Sequence, residues 1–263
     1  MTVTSYFTAC AFRIKIGDSE KSSIQRSLGA ITLKLLKEFK GEIQRPRPFG
    51  SYSRGTMLPR KIDRNSDVDL LVTFKEYDAK PQTYLNRLRR FADKHYPNSV
   101  VKQSNPTILL SLNHINIELV PAVSMFPYGL QIPAPANDYE DWQSTTPHDA
   151  KKRLESIKKD RGMIIVHTIK LLKYWNAYNG YVFPSFELEQ KLLDNWYMFN
   201  KSLKSFVYEG FDNLELPWFD VAQWRRNALS RAQSTIEEIK DYEWRNKEDL
   251  ATAKAKELFP AFW

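Results

Sequence analysis

The sequence predicts an α/β (α+β) fold in two parts, a mixed sheet backed by helices over residues 1–145 and a helical second lobe over residues 146–263. Three observations support this prediction. Residues 67–74 alternate between an apolar face and a face that carries two acids, as strand side chains do. Residues 18–40 repeat apolar side chains at steps of three and four, which is typical of an amphipathic helix. Beyond residue 146 the periodicity is almost entirely helical. The two parts should form a bilobed molecule with a central cleft.

The first part contains several further elements. Prolines 46 and 48 keep the chain extended before a turn at residues 50–56. The other elements predicted there are a helix over 81–96 and short strands at 100–101, 108–112 and 115–120. Residues 121–147 hold five prolines and little periodicity, so we expect a long ordered loop.

The second part begins with a helix-start signal. Thr146 can cap a helix whose first residue is Pro147, with Asp149 in the first turn. Apolar periodicity predicts further helices near residues 164–178, 186–199, 220–240 and 247–258.

Composition narrows the class of protein. The 263 residues include a single cysteine, Cys10, and four scattered histidines, so neither an internal disulfide nor a zinc cluster is expected. No stretch approaches the roughly 18 apolar residues that span a membrane, and no signal peptide is evident, which predicts a cytoplasmic protein without a membrane partner. The net charge of +8 suits an anionic partner such as nucleotide or nucleic acid, although it also serves simple solubility.

Three carboxylates are the candidate catalytic residues. Asp67 and Asp69 project from the same face of one strand, and Glu118 faces away from the apolar side of a later strand. Like charges placed together favour a divalent cation between them, and three carboxylates match the ligands that two magnesium ions need. A purely structural Asp-x-Asp pair is the alternative explanation.

A Gly-Ser turn precedes the first acidic strand. Gly50 lets the backbone approach a ligand closely, and Ser51 offers a backbone N–H and a hydroxyl to phosphate oxygens. An ordinary glycine turn would look the same in isolation.

Together these residues resemble the signature of the DNA polymerase beta-like nucleotidyltransferases. The resemblance rests on Gly50-Ser51, on Asp67 and Asp69, and on Glu118 in a strand that ends Val-Pro-Ala at residues 120–122. A tryptophan at 142 and Thr-Thr-Pro at 145–147 narrow it to the cGAS/DncV-like branch (CD-NTases), bacterial enzymes that make cyclic di- and trinucleotide signals in anti-phage defence.

The resemblance extends into the helical part and covers residues 20–200. Residues 170–174 are similar to a helix from which a lysine reaches the nucleotide triphosphate, and Lys173 aligns better than Lys170. Ser185 resembles a serine that also binds triphosphate, and Phe186 an aromatic residue that stacks on a base. Without the resemblance, a lysine pair would be a solvated helix face and Phe186 a core residue.

Several departures stand out. The 15 residues between Ser51 and Asp67 carry a run of basic residues that could contact phosphate or acceptor, namely Arg54, Arg60, Lys61 and Arg64. The third acid is Glu where Asp is common, and Phe186 replaces a more usual tyrosine. The zinc insertion of the animal DNA sensor is absent from the sequence, and no motif is matched after residue 201.

The resemblance implies an enzyme that joins NTPs into a cyclic di- or trinucleotide and releases pyrophosphate, with two Mg²⁺ ions, or Mn²⁺ in their place, held by Asp67, Asp69 and Glu118. It also implies NTP substrates and a downstream effector protein activated by the product, whereas nucleic acid is allowed by the charge but not required. Two alternatives stay open: an RNA 3′-end (CCA-adding-like) transferase, and a catalytically silent nucleotide-binding module.

Overall fold

The computed structural model describes most of the chain, namely residues 1–104, 106–125, 129–134, 141–194 and 202–260. The chain divides into two compact units. The sheet unit comprises Ile16–Arg60 and Arg64–Lys151. The helical unit comprises Met1–Lys15, Lys61–Asp63 and Lys152–Trp263.

Among the described elements, helices and strands are mixed up to residue 144, and the later elements are helices. The strands are β1 (Arg47–Pro48), β2 (Asp67–Phe74), β3 (Val100–Ser104), β4 (Thr107–Ser111), β5 (Asn116–Met125), β6 (Gly129–Pro133) and β7 (Trp142–Ser144). The helices are α1 (Val3–Arg13), α2 (Asp18–Glu38), α3 (Gly50–Arg54), α4 (Pro81–His95), α5 (Pro147–Arg161), α6 (Ile164–Tyr178), α7 (Ser185–Asp194), α8 (Leu203–Asp212), α9 (Gln223–Trp244) and α10 (Glu248–Leu258).

One mixed sheet organises the sheet unit. Its order is β1-β2-β5-β4-β3, with β6 pairing to the later part of β5 and β7 pairing to β6. The β2–β5 pair is parallel and the other strand pairs are antiparallel. The α/β prediction with a mixed sheet is therefore confirmed.

Two helices cover one face of this sheet. The predicted apolar stripe of α2 is buried in one cluster with side chains of α4 and of the strands β2, β4 and β5. Val68, Leu70 and Val72 lie in this cluster, so the helices pack on the side of β2 to which these residues point. Asp67 and Asp69 alternate with them and point to the opposite face.

The prediction of a loop over residues 121–147 is wrong for its described part. Residues 121–125 continue β5, and β6 and β7 follow, while 126–128 and 135–140 lie outside the described residues. Proline rarely occurs in a central strand because it lacks a backbone donor. Pro121 avoids this cost because β4 pairs with β5 only up to Leu119 and β6 pairs only from Val123. The proline thus falls where one side of β5 has no neighbouring strand.

The helical unit has an aromatic core. Phe7 of α1 lies 5.2 Å from Phe259 in an edge-to-face contact, and Phe259 also lies 6.2 Å from Tyr174 of α6. Tyr6 donates a hydrogen bond to the carbonyl of Phe259, and Tyr174 donates one to the carbonyl of Pro260 at 2.7 Å. Helix α1 was not predicted from the sequence. It packs on α6, α8 and α10.

Within the described residues, no helix is both long and apolar enough to cross a lipid bilayer.

Candidate active site

The three predicted acids lie on neighbouring strands. Asp69 of β2 pairs in register with Glu118 of β5, and Asp67 pairs with Asn116. Side chains at paired positions of adjacent strands point to the same side of a sheet, and positions two apart on one strand do so too. Asp67, Asp69 and Glu118 therefore share the face opposite α2 and α4. The first two are only partly buried, whereas the apolar residues between and after them are buried.

Gly50 is fitted against one of these acids. Its φ is +62°, a backbone conformation that side chains disfavour. A Cβ at this position would lie 1.8 Å from Oδ2 of Asp69, far inside van der Waals contact. The approach is fixed by β1, which pairs with β2, and by the backbone N–H of Phe49, which donates to the Asp69 carbonyl at 3.0 Å. Only glycine fits this position in the observed arrangement.

Ser51 follows in the short helix α3. Its carbonyl accepts hydrogen bonds from the backbone N–H groups of Thr56 (3.0 Å) and Met57 (3.2 Å), so the turn closes on itself immediately after the helix. Gly55 at the end of α3 has a φ of +75°. These hydrogen bonds fix the backbone of Ser51 directly after Gly50, which lies against Asp69.

Glu118 has a strongly perturbed acidity. Burial and, to a smaller extent, the negative charge of Asp67 raise the pKa of its carboxyl to about 7, although a hydrogen bond with Thr107 partly offsets the rise. A carboxyl that titrates near neutral pH can both hold and accept a proton under physiological conditions.

The fit of a divalent metal rests on donor chemistry. All three acids offer hard oxygen ligands, which Mg²⁺ prefers, and a cation would relieve the repulsion between Glu118 and Asp67. As the side chains stand, no group of three or more His, Cys, Asp and Glu residues in the described ranges could hold a metal ion. The acids share a face, and their carboxylates would have to turn toward one another to share an ion.

The basic residues before β2 differ in their surroundings. Arg54 is buried at the end of α3, with 8% of its surface exposed. The Arg60 guanidinium donates to the carbonyls of Leu112 (3.2 Å) and Asn113 (3.4 Å), and its backbone N–H donates to Glu20. Arg60 thus braces the β4–β5 turn, an internal role that its position in a basic run did not indicate.

In the helical unit, α6 carries both lysines of the predicted phosphate-binding helix. Lys170 and Lys173 are each only 7% exposed, so they do not form the solvated helix face that the sequence left open. Burial and, to a smaller extent, the positive charges of Lys173 and Lys15 lower the pKa of the Lys170 amine to about 8. Burial likewise lowers the pKa of His167, with contributions from Lys15 and Lys170. This part of α6 is a cationic environment within the unit.

Ser185 and Phe186 begin helix α7. Phe186 is 55% exposed, so it is not the core residue that its apolar character alone would suggest. The start of this segment is tied to α6 by Asn176, which is fully buried. Its Nδ2 donates to the Phe183 carbonyl at 2.9 Å, and its Oδ1 accepts from the Phe183 N–H at 2.8 Å.

The sequence did not predict two residues that contact the candidate site: Asn176, which holds Phe183, and Thr107, which hydrogen-bonds Glu118. An asparagine among the mostly apolar residues of α6 could have indicated the first. No sequence pattern indicates Thr107.

The sequence profile of one family matches more than half of the chain. It is the Second Messenger Oligonucleotide or Dinucleotide Synthetase domain (SMODS), and the match covers residues 1–157. No curated protein matches the chain significantly.

Several solved structures of bacterial proteins have the same fold. CdnC of Escherichia coli MS115-1, solved with ATP, has a TM-score of 0.74 at 16% identity, covering 98% of each chain. The CD-NTase CdnG of Bradyrhizobium diazoefficiens, in complex with GTP, gives 0.70 at 13% identity, covering 97% of this chain and 98% of that one. DncV of Vibrio cholerae, a cyclic AMP-GMP synthase and prokaryotic cGAS homologue, gives 0.63 at 13% identity, covering 98% and 79%.

At these identities the structural matches establish the fold, and the profile match establishes the family. The acid-bearing strands and the Gly-Ser turn all lie inside the profile match, at residues where the polymerase beta-like resemblance was expected. The chain therefore belongs to the SMODS family and is a nucleotidyltransferase of the cGAS/DncV-like CD-NTase group.

Proposed function

We propose that this nucleotidyltransferase joins NTPs into a cyclic di- or trinucleotide second messenger and releases pyrophosphate. The observation that carries the proposal is the placement of Asp67, Asp69 and Glu118 on one face of the sheet, with the backbone of Gly50 against Asp69. The family's description, which covers oligonucleotide and dinucleotide synthetases, supports the choice of product class.

In the proposed reaction, a ribose hydroxyl oxygen of one nucleotide forms a bond to the α-phosphorus of a second. The bond from that phosphorus to the bridging oxygen breaks, and pyrophosphate leaves. The hydroxyl proton passes to a carboxylate oxygen of Glu118, which acts as the general base. Repetition on the growing product closes the ring.

The chain's other residues bind and orient. Two Mg²⁺ ions, or Mn²⁺ in their place, would be held by Asp67, Asp69 and Glu118, and when bound they neutralise phosphate charge and acidify the attacking hydroxyl. Gly50 and Ser51 would hold triphosphate oxygens through backbone N–H groups and a hydroxyl. If Ser51 has this role, Ser51→Ala should raise the KM for NTP and leave the melting temperature close to that of the wild type.

We also propose nucleotide contacts for three residues of the helical unit. We assign triphosphate contacts to Lys173 and Ser185, and base stacking to Phe186. The supporting observations are the low exposure of Lys173 in a cationic environment and the exposed ring of Phe186. Stacking on an aromatic side chain is worth roughly 1–3 kcal/mol per base.

We propose that the product acts in bacterial anti-phage signalling by activating a separate effector protein. This part of the proposal is supported by the family resemblance alone.

The test is to incubate the purified protein with all four NTPs and Mg²⁺ in the absence of RNA, and to identify products by mass spectrometry. A phosphatase-resistant cyclic product is expected. A requirement for RNA, with a lengthened 3′ end, would favour the tailing alternative, and no pyrophosphate release would favour the silent module.

The matched variants are Asp67→Asn with Asp69→Asn, and Asp93→Asn as the control. Asp93 is an exposed acid on α4 of the same unit, 3.9 Å from Arg89 and distant in sequence from the site. The double variant should lose product formation while keeping its circular dichroism spectrum, and Asp93→Asn should behave as wild type. A double variant as active as the control would end the proposal.

A further inference from the structure

A pocket of about 380 Å³ lies on the sheet unit, where α2, the end of α4 and the β4–β5 turn meet. Three of its residues, Ser27, Ala30 and Lys34, are spaced by three and four and therefore share one face of α2. Helix α2 packs on the side of the sheet opposite the acids. None of Asp67, Asp69 and Glu118 lines this pocket.

The lining is cationic and rich in hydrogen-bond groups. Lys34 and His114 supply basic nitrogens, and serine hydroxyls and the amides of Asn98 and Asn113 add donors. The described residues that line the pocket include no Asp or Glu. This combination disfavours a cationic ligand and favours an anion with several acceptor oxygens.

The basic groups are held in place by their neighbours. The Lys34 ammonium lies 4.1 Å from the centre of the Tyr96 ring and donates to the His95 carbonyl at 3.4 Å. An ammonium has three donors, so this carbonyl takes only one. Ser27 Oγ lies 3.1 Å from His114 Nε2, which orients the imidazole across the mouth of the β4–β5 turn.

The site is also tied to the strand that carries Glu118. Arg60 donates to the carbonyls of Leu112 and Asn113, which form the turn, and β5 begins at Asn116. Occupancy would brace the turn that leads into this strand.

We propose that this pocket binds a small phosphate-bearing metabolite, no larger than a mononucleotide, at a site separate from the catalytic acids. A phosphate monoester offers three oxygens to the donors that line the pocket on three elements, whereas a carboxylate offers two. The volume falls at the lower end of the roughly 300–1,000 Å³ range of small-molecule pockets. The proposal does not depend on the proposed nucleotidyl transfer.

Binding is measured by isothermal titration calorimetry on the full chain carrying Asp67→Asn and Asp69→Asn, in EDTA, so that metal-dependent binding at the acids is suppressed. The probes are AMP, GMP and ribose 5-phosphate, with adenosine as the uncharged comparison. At least one phosphate probe should bind with a Kd below about 1 mM. If AMP binds, adenosine should bind at least tenfold more weakly, because a factor of about ten is what one charge-assisted hydrogen bond contributes.

Three variants in this background locate the site. Lys34→Met should weaken binding by about tenfold or more, because it removes a charge-assisted hydrogen bond. Ala30→Trp should abolish binding by filling the pocket from an exposed helix position that leaves the core untouched. Lys37→Met, an exposed lysine three residues further along α2, should bind as the parent does.

The proposal is overturned if no phosphate probe binds below about 1 mM, if adenosine equals AMP where AMP binds, or if Lys34→Met and Ala30→Trp bind as tightly as Lys37→Met. Melting temperatures within a few degrees of the parent establish that each variant is folded. His114→Ala, which removes the second basic group, serves if Ala30→Trp does not fold.

Discussion

Replacement of Gly50 by alanine tests the closest approach in the candidate active site. The new Cβ would lie 1.8 Å from Oδ2 and 2.8 Å from Cγ of Asp69. Carbon and oxygen atoms in contact are usually about 3.3–3.6 Å apart, so the carboxylate must retreat by roughly 1.5 Å or the backbone must shift by a similar amount. Misplacing a catalytic group by about 1 Å can cost on the order of 100-fold in rate. We therefore expect kcat to fall about 100-fold or more.

Part of the effect of Gly50→Ala comes from backbone strain at a positive φ. The same substitution at a second glycine, Gly41, measures that strain alone. An alanine at positive φ costs roughly 1–2 kcal/mol, which lowers Tm by a few degrees in a chain of this size. Gly41 has a φ of +84° and nothing within 4 Å of its Cβ position, so Gly41→Ala introduces the backbone strain but no steric clash. The assay is steady-state product formation alongside thermal melting of both variants. Activities within about threefold of each other, roughly 0.7 kcal/mol, would refute the proposed role of this contact.

Three further predictions concern the helical unit. Lys170→Met should lessen the dependence of stability on pH. The pKa of Lys170 is about 8 in the folded chain and 10.5 ordinarily, so the unfolded chain binds more protons between these two pH values. The free energy of unfolding of the wild type therefore rises with pH across that window. Chemical denaturation at pH 7.5 and 9.5 measures this, and equal pH slopes for the two proteins would contradict it. Asn176→Ala should lower the free energy of unfolding by about 2 kcal/mol or more, because it strands a buried N–H and a carbonyl of Phe183, and an unchanged urea midpoint would contradict it. Phe186→Ala should leave stability within about 0.5 kcal/mol because the ring is exposed, yet weaken NTP binding by roughly 1–3 kcal/mol, with Phe186→Tyr as the control. An unchanged KM would refute the stacking role.

The acidic strand shows what sequence patterns can deliver. The alternation of apolar and polar residues correctly predicted that Asp67 and Asp69 share one face, because at that end of β2 one face is buried and the other only partly buried. From Leu70 onward β2 is buried on both faces, and alternation no longer distinguishes them. The match between Asp69 and Glu118 depends on the parallel pairing of β2 with β5, which no local pattern encodes.

Other features could not be predicted because they depend on contacts between elements. Proline content predicted a loop where Pro121 sits at a gap in the pairing of β5, a feature visible only in the sheet. Helical spacing alone would assign Lys170 and Lys173 to a solvated face, because burial of a charged side chain depends on the elements packed around its helix. The approach of Gly50 to Asp69 joins residues 19 apart in sequence through the β1–β2 pairing.

The acid site is tested most directly by a crystal structure with Mn²⁺ and a non-hydrolysable NTP analogue, using the anomalous signal of manganese. We expect manganese peaks coordinated by Asp67 and Asp69 at about 2.0–2.3 Å, with Glu118 turned toward the same ions and the triphosphate beside Ser51. Manganese bound only by other side chains, or an ordered nucleotide with no metal on Asp67 and Asp69, would contradict it.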